Sequence, residues 1–183
     1  KKKVFNEFVE TYKDFPKKGI FFKDILPLLR KPKIIEELIN EMASFKIFRN
    51  VDAIIGIDAR GFIFGTALAL KLKKPLILAR KKGKLPGETI TFKYDLEYGE
   101  NSLSIQKDAI KDFSSFVIVD DLIATGGTAE SVAKILYSQN KTINGLAVVI
   151  ELKNLKGSSK LDFPIQNVLS LWKLIIYLKK FVS

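Results

Sequence analysis

Residues 116–129 read Phe-Val-Ile-Val-Asp-Asp-Leu-Ile-Ala-Thr-Gly-Gly-Thr-Ala, and the architecture of the chain can be worked outward from them. The apolar run Phe116–Val119 reads as a buried strand that ends at two acids, Asp120 and Asp121. A small glycine-rich turn, Ala124-Thr125-Gly126-Gly127-Thr128, follows, and then Ala129, Val132, Ala133 and Leu136 recur at helical spacing. Strand, glycine turn and helix start together make an anion site, because unpaired backbone N–H groups and the helix dipole point at one spot. The two carboxylates would repel an anion laid directly on them. The combination suits a ligand with a phosphate at one end and hydroxyls or a divalent cation at the other, such as a sugar phosphate. A nucleotide-binding P-loop is excluded, since Thr128 and Ala129 stand where it needs a Lys, and so is a three-glycine dinucleotide fingerprint.

Strands and helices alternate around this unit. Val4, Phe5, Phe8, Val9 and Tyr12 predict a first amphipathic helix, closed by the turn Asp14–Gly19. Pro32 opens a second, with the face Ile34, Ile35, Leu38, Ile39, Met42 and Phe45. Strands are expected at Ala53–Ile57, Pro75–Ala79, 116–120 and Gly145–Glu151, helices at Phe62–Lys73 and 128–139, and a hairpin at Thr89–Asp95 with Ser102–Gln106. Short apolar strands joined by crossover helices predict an α/β fold with a mainly parallel sheet covered on both faces. Ligands bind such sheets beyond the strand C-termini, where the loops 57–61 and 120–128 both fall. The 183 residues suit a single domain, with residues 1–30 ahead of a core at 51–151 and an extension at 152–183.

Composition narrows the chemistry. There is no Cys, hence no disulfide and no thiolate, and no His, so any proton transfer near neutral pH falls to a carboxylate, Lys, Tyr or water. No stretch approaches the ~20 apolar residues of a membrane span, and Lys1-Lys2-Lys3 leads into no apolar signal core. A cytoplasmic, membrane-free protein is expected. The net charge of +11 invites a nucleic-acid reading, yet aromatic residues do not interleave with the basic block Lys71–Lys84 as a stacking platform requires. A small polyanionic substrate suits the cations at 80–84 better than a duplex does.

Three further segments bear on a site. In Ile57-Asp58-Ala59-Arg60-Gly61 a guanidinium follows a strand, placed either to hold a pair of pyrophosphate oxygens or to meet a surface acid. Arg80-Lys81-Lys82-Gly83-Lys84-Leu85-Pro86-Gly87 packs cations between turn formers at the same sheet edge, as a solvated loop or a second pyrophosphate clamp. Tyr94-Asp95-Leu96-Glu97-Tyr98-Gly99-Glu100 suits a mobile lid or an exposed hairpin turn.

The strand, acid pair and Thr-Gly-Gly-Thr turn resemble the signature of the type I phosphoribosyltransferases, which bind 5-phosphoribosyl-1-pyrophosphate (PRPP). Five ordered motifs between Phe15 and Gly157 narrow the resemblance to the adenine-specific members. These are the opening Phe-Pro-Lys-x-Gly-Ile-x-Phe-Lys-Asp-Ile-x-Pro-Leu-Leu, Ala-Arg-Gly-Phe-x-Phe-Gly, Arg-Lys-x-Gly-Lys-Leu-Pro, Leu-Glu-Tyr-Gly and Asp-Asp-Leu-Ile-Ala-Thr-Gly-Gly-Thr. The resemblance implies a parallel sheet with a small N-terminal hood and a flexible lid hairpin, in a homodimer that makes AMP and pyrophosphate from adenine and PRPP with Mg²⁺. It implies Glu97 as the acid–base residue at purine N7, with Tyr98 closing the lid. Asp120 and Asp121 would address the ribose hydroxyls and the metal–substrate unit. Ala124, Thr125, Gly126, Gly127 and Thr128 would cradle the 5-phosphate. Arg60, Lys81 and Lys84 would face pyrophosphate, some across the dimer, and the hood over the base would come from Phe21 to Lys23. The family's pyrophosphate loop often contains a cis peptide, which would fall at Asp58–Ala59. Leu26 departs from the small hydroxyl residue many relatives carry, and the tail Leu174–Ser183 is longer and more apolar than the family pattern. Two rivals share the acid pair. A hypoxanthine or xanthine enzyme is disfavoured by Leu-Glu-Tyr-Gly, and a PRPP-sensing nucleic-acid-binding regulator needs no lid acid.

Overall fold

The computed structural model describes residues 2–96 and 99–171. In chain order they form α1 (Lys2–Asn6), β1 (Glu10–Lys13), β2 (Phe21–Asp24), α2 (Leu26–Leu29), α3 (Pro32–Ala43), β3 (Ala53–Ile57), α4 (Gly61–Leu72) and β4 (Leu76–Lys81). Then follow β5 (Thr89–Leu96), β6 (Gly99–Gln106), α5 (Lys107–Ile110), β7 (Ser115–Ile123), α6 (Gly127–Ser138), β8 (Thr142–Leu152) and β9 (Ile165–Leu171). The main sheet has the order β5-β6-β4-β3-β7-β8-β9, while β1 and β2 pair separately. From β4 to β9 the neighbours run parallel, and the β5–β6 hairpin adds an antiparallel edge.

The apolar strand runs are buried because both faces of the sheet are covered. Alternation along β7 feeds two cores. Val117 and Val119 face a layer containing Leu38, Met42, Phe64 and Leu68 of α3 and α4. Phe116 and Ile118 face Val132, Ala133 and Leu136 of α6, together with Leu103 and Ile105 of the hairpin. Phe116, Val117, Ile118 and Val119 are all fully inaccessible to solvent. Complete burial of such side chains is worth about 1.5–3 kcal/mol each relative to exposure.

Several boundaries differ from the sequence reading. The predicted first helix is split: α1 ends at Asn6, and Tyr12 lies on β1. Phe5 is buried and Phe8 and Val9 pack on the core, but from Glu10 the backbone pairs antiparallel with β2, Glu10 opposite Asp24 and Lys13 opposite Phe21. That pairing satisfies the backbone groups that a helix would otherwise have bonded. β7 continues through the acids to Ile123, since Leu122 and Ile123 still pair with Ile150 and Glu151 of β8. β9 was not expected. Its Val168 and Leu169 are buried beside β8. Glu97, Tyr98 and the tail Leu174–Ser183 lie outside the described residues.

Candidate active site

The centre of the sheet organises the site. β3 and β7 are parallel neighbours, with Gly56 beside Val119, so the loops leaving their C-terminal ends emerge side by side. They are drawn close by Gly61, at the start of α4. A Cβ there would stand 2.7 Å from the Val119 carbonyl oxygen and 3.2 Å from Asp120 Cα. Residues 58–60 and 120–126, with Thr128, Ala129 and Leu146, line a cavity of about 310 Å³. The expected sugar-phosphate residues Asp120, Asp121, Ala124, Thr125, Gly126 and Thr128 are therefore brought together with Arg60, while Gly127 opens α6 beside them.

At the glycine-turn end, Gly126 adopts φ 83°, a left-handed turn that swings the chain into α6. Glu130 N donates to Gly126 O at 2.9 Å, which leaves the N–H groups of the first turn without helical partners. At the other end, Asp121 is buried and its Oδ2 lies 2.8 Å from Arg60 Nε. Asp120 Oδ1 accepts from Asp121 N at 2.8 Å. Burial and then the adjacent Asp121 charge push the Asp120 carboxyl well above the usual carboxylate range, opposed by its backbone hydrogen bond and by Arg60.

Arg60 faces a second space as well. Its guanidinium lies 5.5 Å from the Phe22 ring centroid, and with Tyr12, Phe15, Phe22, Asp24 and Leu26 it lines a more apolar cavity of about 330 Å³. Of the expected hood segment Phe21–Lys23, Phe22 lines this cavity, as does Asp24 just beyond it. Phe21 and Lys23 alternate away from it, and Lys23 Nζ donates to Thr11 Oγ1 at 2.7 Å. Tyr12 and Phe15 were not among the expected site residues. Phe15 precedes a turn and stacks edge-on against Phe22 at 5.2 Å, a pairing with no local signature.

The basic loop stands at the rim. Lys81 and Lys84 are exposed and do not line the cavity. Arg80 ties this loop to the next one: its Nε lies 3.4 Å from Asp58 Oδ2 and its Nη1 donates to Lys84 O at 3.2 Å. The Asp58–Ala59 peptide is cis, as the sequence resemblance implied. β5 and β6 pair out to Leu96 opposite Gly99, bracketing the sequence positions of Glu97 and Tyr98.

No cluster of three His, Cys, Asp or Glu suited to a metal occurs among the described residues. Two adjacent carboxylates beside a glycine turn and a helix N-terminus nevertheless fit Mg²⁺ that arrives on a phosphorylated substrate, because that ion keeps its waters and takes only one or two protein oxygens.

A domain model described as phosphoribosyl transferase domain matches residues 28–176. An adenine phosphoribosyltransferase of Prochlorococcus marinus strain AS9601 is 57% identical over 169 residues, spanning 92% of this chain and 99% of that protein. The chain belongs to the adenine phosphoribosyltransferase family. Solved relatives agree in architecture. The enzyme from Thermoanaerobacter pseudethanolicus superposes with a TM-score of 0.88 at 40% identity, over 93% of this chain and 100% of that one. The enzyme from Saccharomyces cerevisiae gives 0.86 at 37% identity, over 92% and 98%.

Proposed function

We propose that this protein transfers the 5-phosphoribosyl group of PRPP to N9 of adenine, releasing AMP and pyrophosphate. The observation that carries the reading is the pair of cavities meeting at Arg60. One is aromatic, and the other joins two carboxylates to a free helix N-terminus. A purine suits the first and a ribose phosphate the second. The yeast relative was solved in complex with adenine and an imino-altritol bisphosphate, a base and a phosphorylated sugar analogue of the kinds this reading requires.

In this reading the N–H groups of Ala124–Thr128 hold the 5-phosphate, and Asp120 and Asp121 hold the ribose hydroxyls. As the bond from C1 to pyrophosphate breaks, the ring gains cationic character, which nearby carboxylates stabilise. The electron pair leaves with pyrophosphate, held by Arg60, Lys81 and Lys84, in part across a homodimer. N9 of adenine then bonds to C1, and Glu97 manages the purine proton at N7, with Tyr98 closing over the base. With no His in the chain, a carboxylate is the natural group for that step. Most of the acceleration comes from positioning and charge stabilisation. Mg²⁺, held through PRPP beside Asp120 and Asp121, supplies neutralising charge when bound. The hood over the base, around Phe21–Lys23, supplies backbone acceptors for the 6-amino group. Hypoxanthine would leave those acceptors unsatisfied, at about 1–3 kcal/mol each. We place the reaction in the cytoplasm, on one domain spanning the chain.

The test is to incubate the protein with PRPP, Mg²⁺ and each nucleobase separately and identify the nucleotide formed. AMP should dominate. Faster nucleotide synthesis with hypoxanthine than with adenine would overturn the base assignment.

A further inference from the structure

The segment after β8 turns through Lys153–Leu155 and Gly157–Lys160, two short 3-10 turns, before β9. Gly157 is buried against the phosphate turn, backbone to backbone. A Cβ built on Gly157 would overlap the Ala124 carbonyl oxygen and stand 2.8 Å from Gly126 N. The contact is reciprocal. A Cβ on Gly126 would lie 2.6 Å from Gly157 O and 3.3 Å from Gly157 Cα. Ordinary van der Waals contact begins at 3.4 Å, so two glycines from different elements occupy space that any side chain would need. Gly157 does not line the cavity, whereas Ala124 and Gly126 do. It touches the loop without facing the ligand.

We propose that Gly157 is a positioning residue for 5-phosphate binding: its bare backbone is the seat on which the turn Ala124–Gly126 rests. The proposal builds on the assignment of that turn to the 5-phosphate. A phosphate held by backbone N–H groups depends on where the backbone lies, because no flexible side chain absorbs an error. Restoring ordinary contact between a new Cβ and Gly126 N alone requires a shift of about 0.6 Å, and the closer Ala124 carbonyl oxygen requires about twice that. Displacements approaching 1 Å at a positioned reaction centre cost on the order of 10²-fold. The pyrophosphate-facing groups sit at the C-terminal ends of β3 and β4, whereas the atoms nearest a Gly157 Cβ all belong to Ala124 and Gly126, so the damage should be confined to one end of the substrate.

The experiment is Gly157→Ala, with Lys160→Ala as an exposed control on the same turn. Calorimetry measures the binding of AMP and, separately, of pyrophosphate with Mg²⁺. The expected result is AMP affinity weakened about tenfold or more while pyrophosphate affinity stays within about twofold, with KM for PRPP raised more than KM for adenine. Equal loss of both ligands, or loss of neither, overturns the proposal. Should Gly157→Ala yield no folded protein, Lys156→Val serves instead. It puts a β-branched residue at φ 50° immediately before Gly157 without adding atoms to the contact, and the same comparison decides. Failure of the wild-type protein to bind AMP would sink the functional reading itself. Wild-type binding that the variants leave unchanged would sink only the role of Gly157.

Discussion

Gly61→Ala sets two physical effects against each other. Alanine is favoured over glycine in a helix by up to about 1 kcal/mol, so on propensity alone the change at the start of α4 should stabilise. Packing opposes this. The new Cβ would stand 2.7 Å from the Val119 carbonyl oxygen and 3.2 Å from both Asp120 Cα and Oδ1, and the nearest of these is backbone in the middle of the sheet. Recovering a 3.4 Å contact requires α4 and β7 to separate by about 0.7 Å, and such overpacking costs about 1–3 kcal/mol. The expected net loss is about 1–2 kcal/mol, or about 2–8 °C in Tm for a chain of this length. Gly65→Ala, one turn along the same helix, is the matched control. Its Cβ would meet the movable Leu76 Cδ1 at 3.2 Å, so the propensity gain should survive and Tm should hold or rise. Thermal melts compare the two, and AMP synthesis by Gly61→Ala should fall about 10–100-fold as Asp120 is displaced. A Gly61→Ala protein that melts at or above wild type would refute the reasoning.

Asp120→Asn tests the acid pair. A carboxyl held above its usual range binds its proton more readily in the folded state, so stability is lost as pH rises through and above that range. The variant should therefore melt higher than wild type at pH 7–8, with the gap closing toward pH 4, while activity falls. A gap independent of pH would count against the burial argument. Ser131→Ala removes the hydrogen bond from Ser131 Oγ to Phe92 O at 3.0 Å, which fastens the hairpin to α6. A loss of about 1 kcal/mol, with faster amide exchange in Thr89–Phe92, should appear in melts and exchange measurements. Glu97→Gln should cut the rate of AMP formation by about 100-fold or more while leaving PRPP affinity within about twofold; unchanged synthesis would remove Glu97 from its proposed role.

Much of this was readable along the chain because the signals were local. β3 begins and ends where an unbroken apolar run does, and the acid pair with its glycine turn lies within nine residues. The rule that ligands gather beyond parallel strand ends then joined two segments sixty residues apart. The features without a local signal depend on partners distant in sequence. Tyr12 looked helical because its strand is defined by β2, and β9 was missed because Gln166 and Asn167 interrupt any apolar pattern while its burial comes from β8. That Arg60 meets an acid was one of its two readings, but the identity of that acid, the buried Asp121, had no trace in either segment. Gly157, between Lys156 and Ser158, reads as any loop glycine in sequence, and only its contact with the turn Ala124–Gly126 sets it apart.

The place of β7 in the sheet bears on the order in which the molecule can be assembled. It is the strand between β3, made some sixty residues earlier, and β8, made afterwards, and both catalytic-edge loops take their positions from it. A nascent chain halted before Ser115 has its guanidinium loop but nothing to set beside it. The binding centre thus comes into being late in synthesis, through contacts between residues far apart in the chain, the kind that slow folding. Until then the apolar flank of β3 waits uncovered.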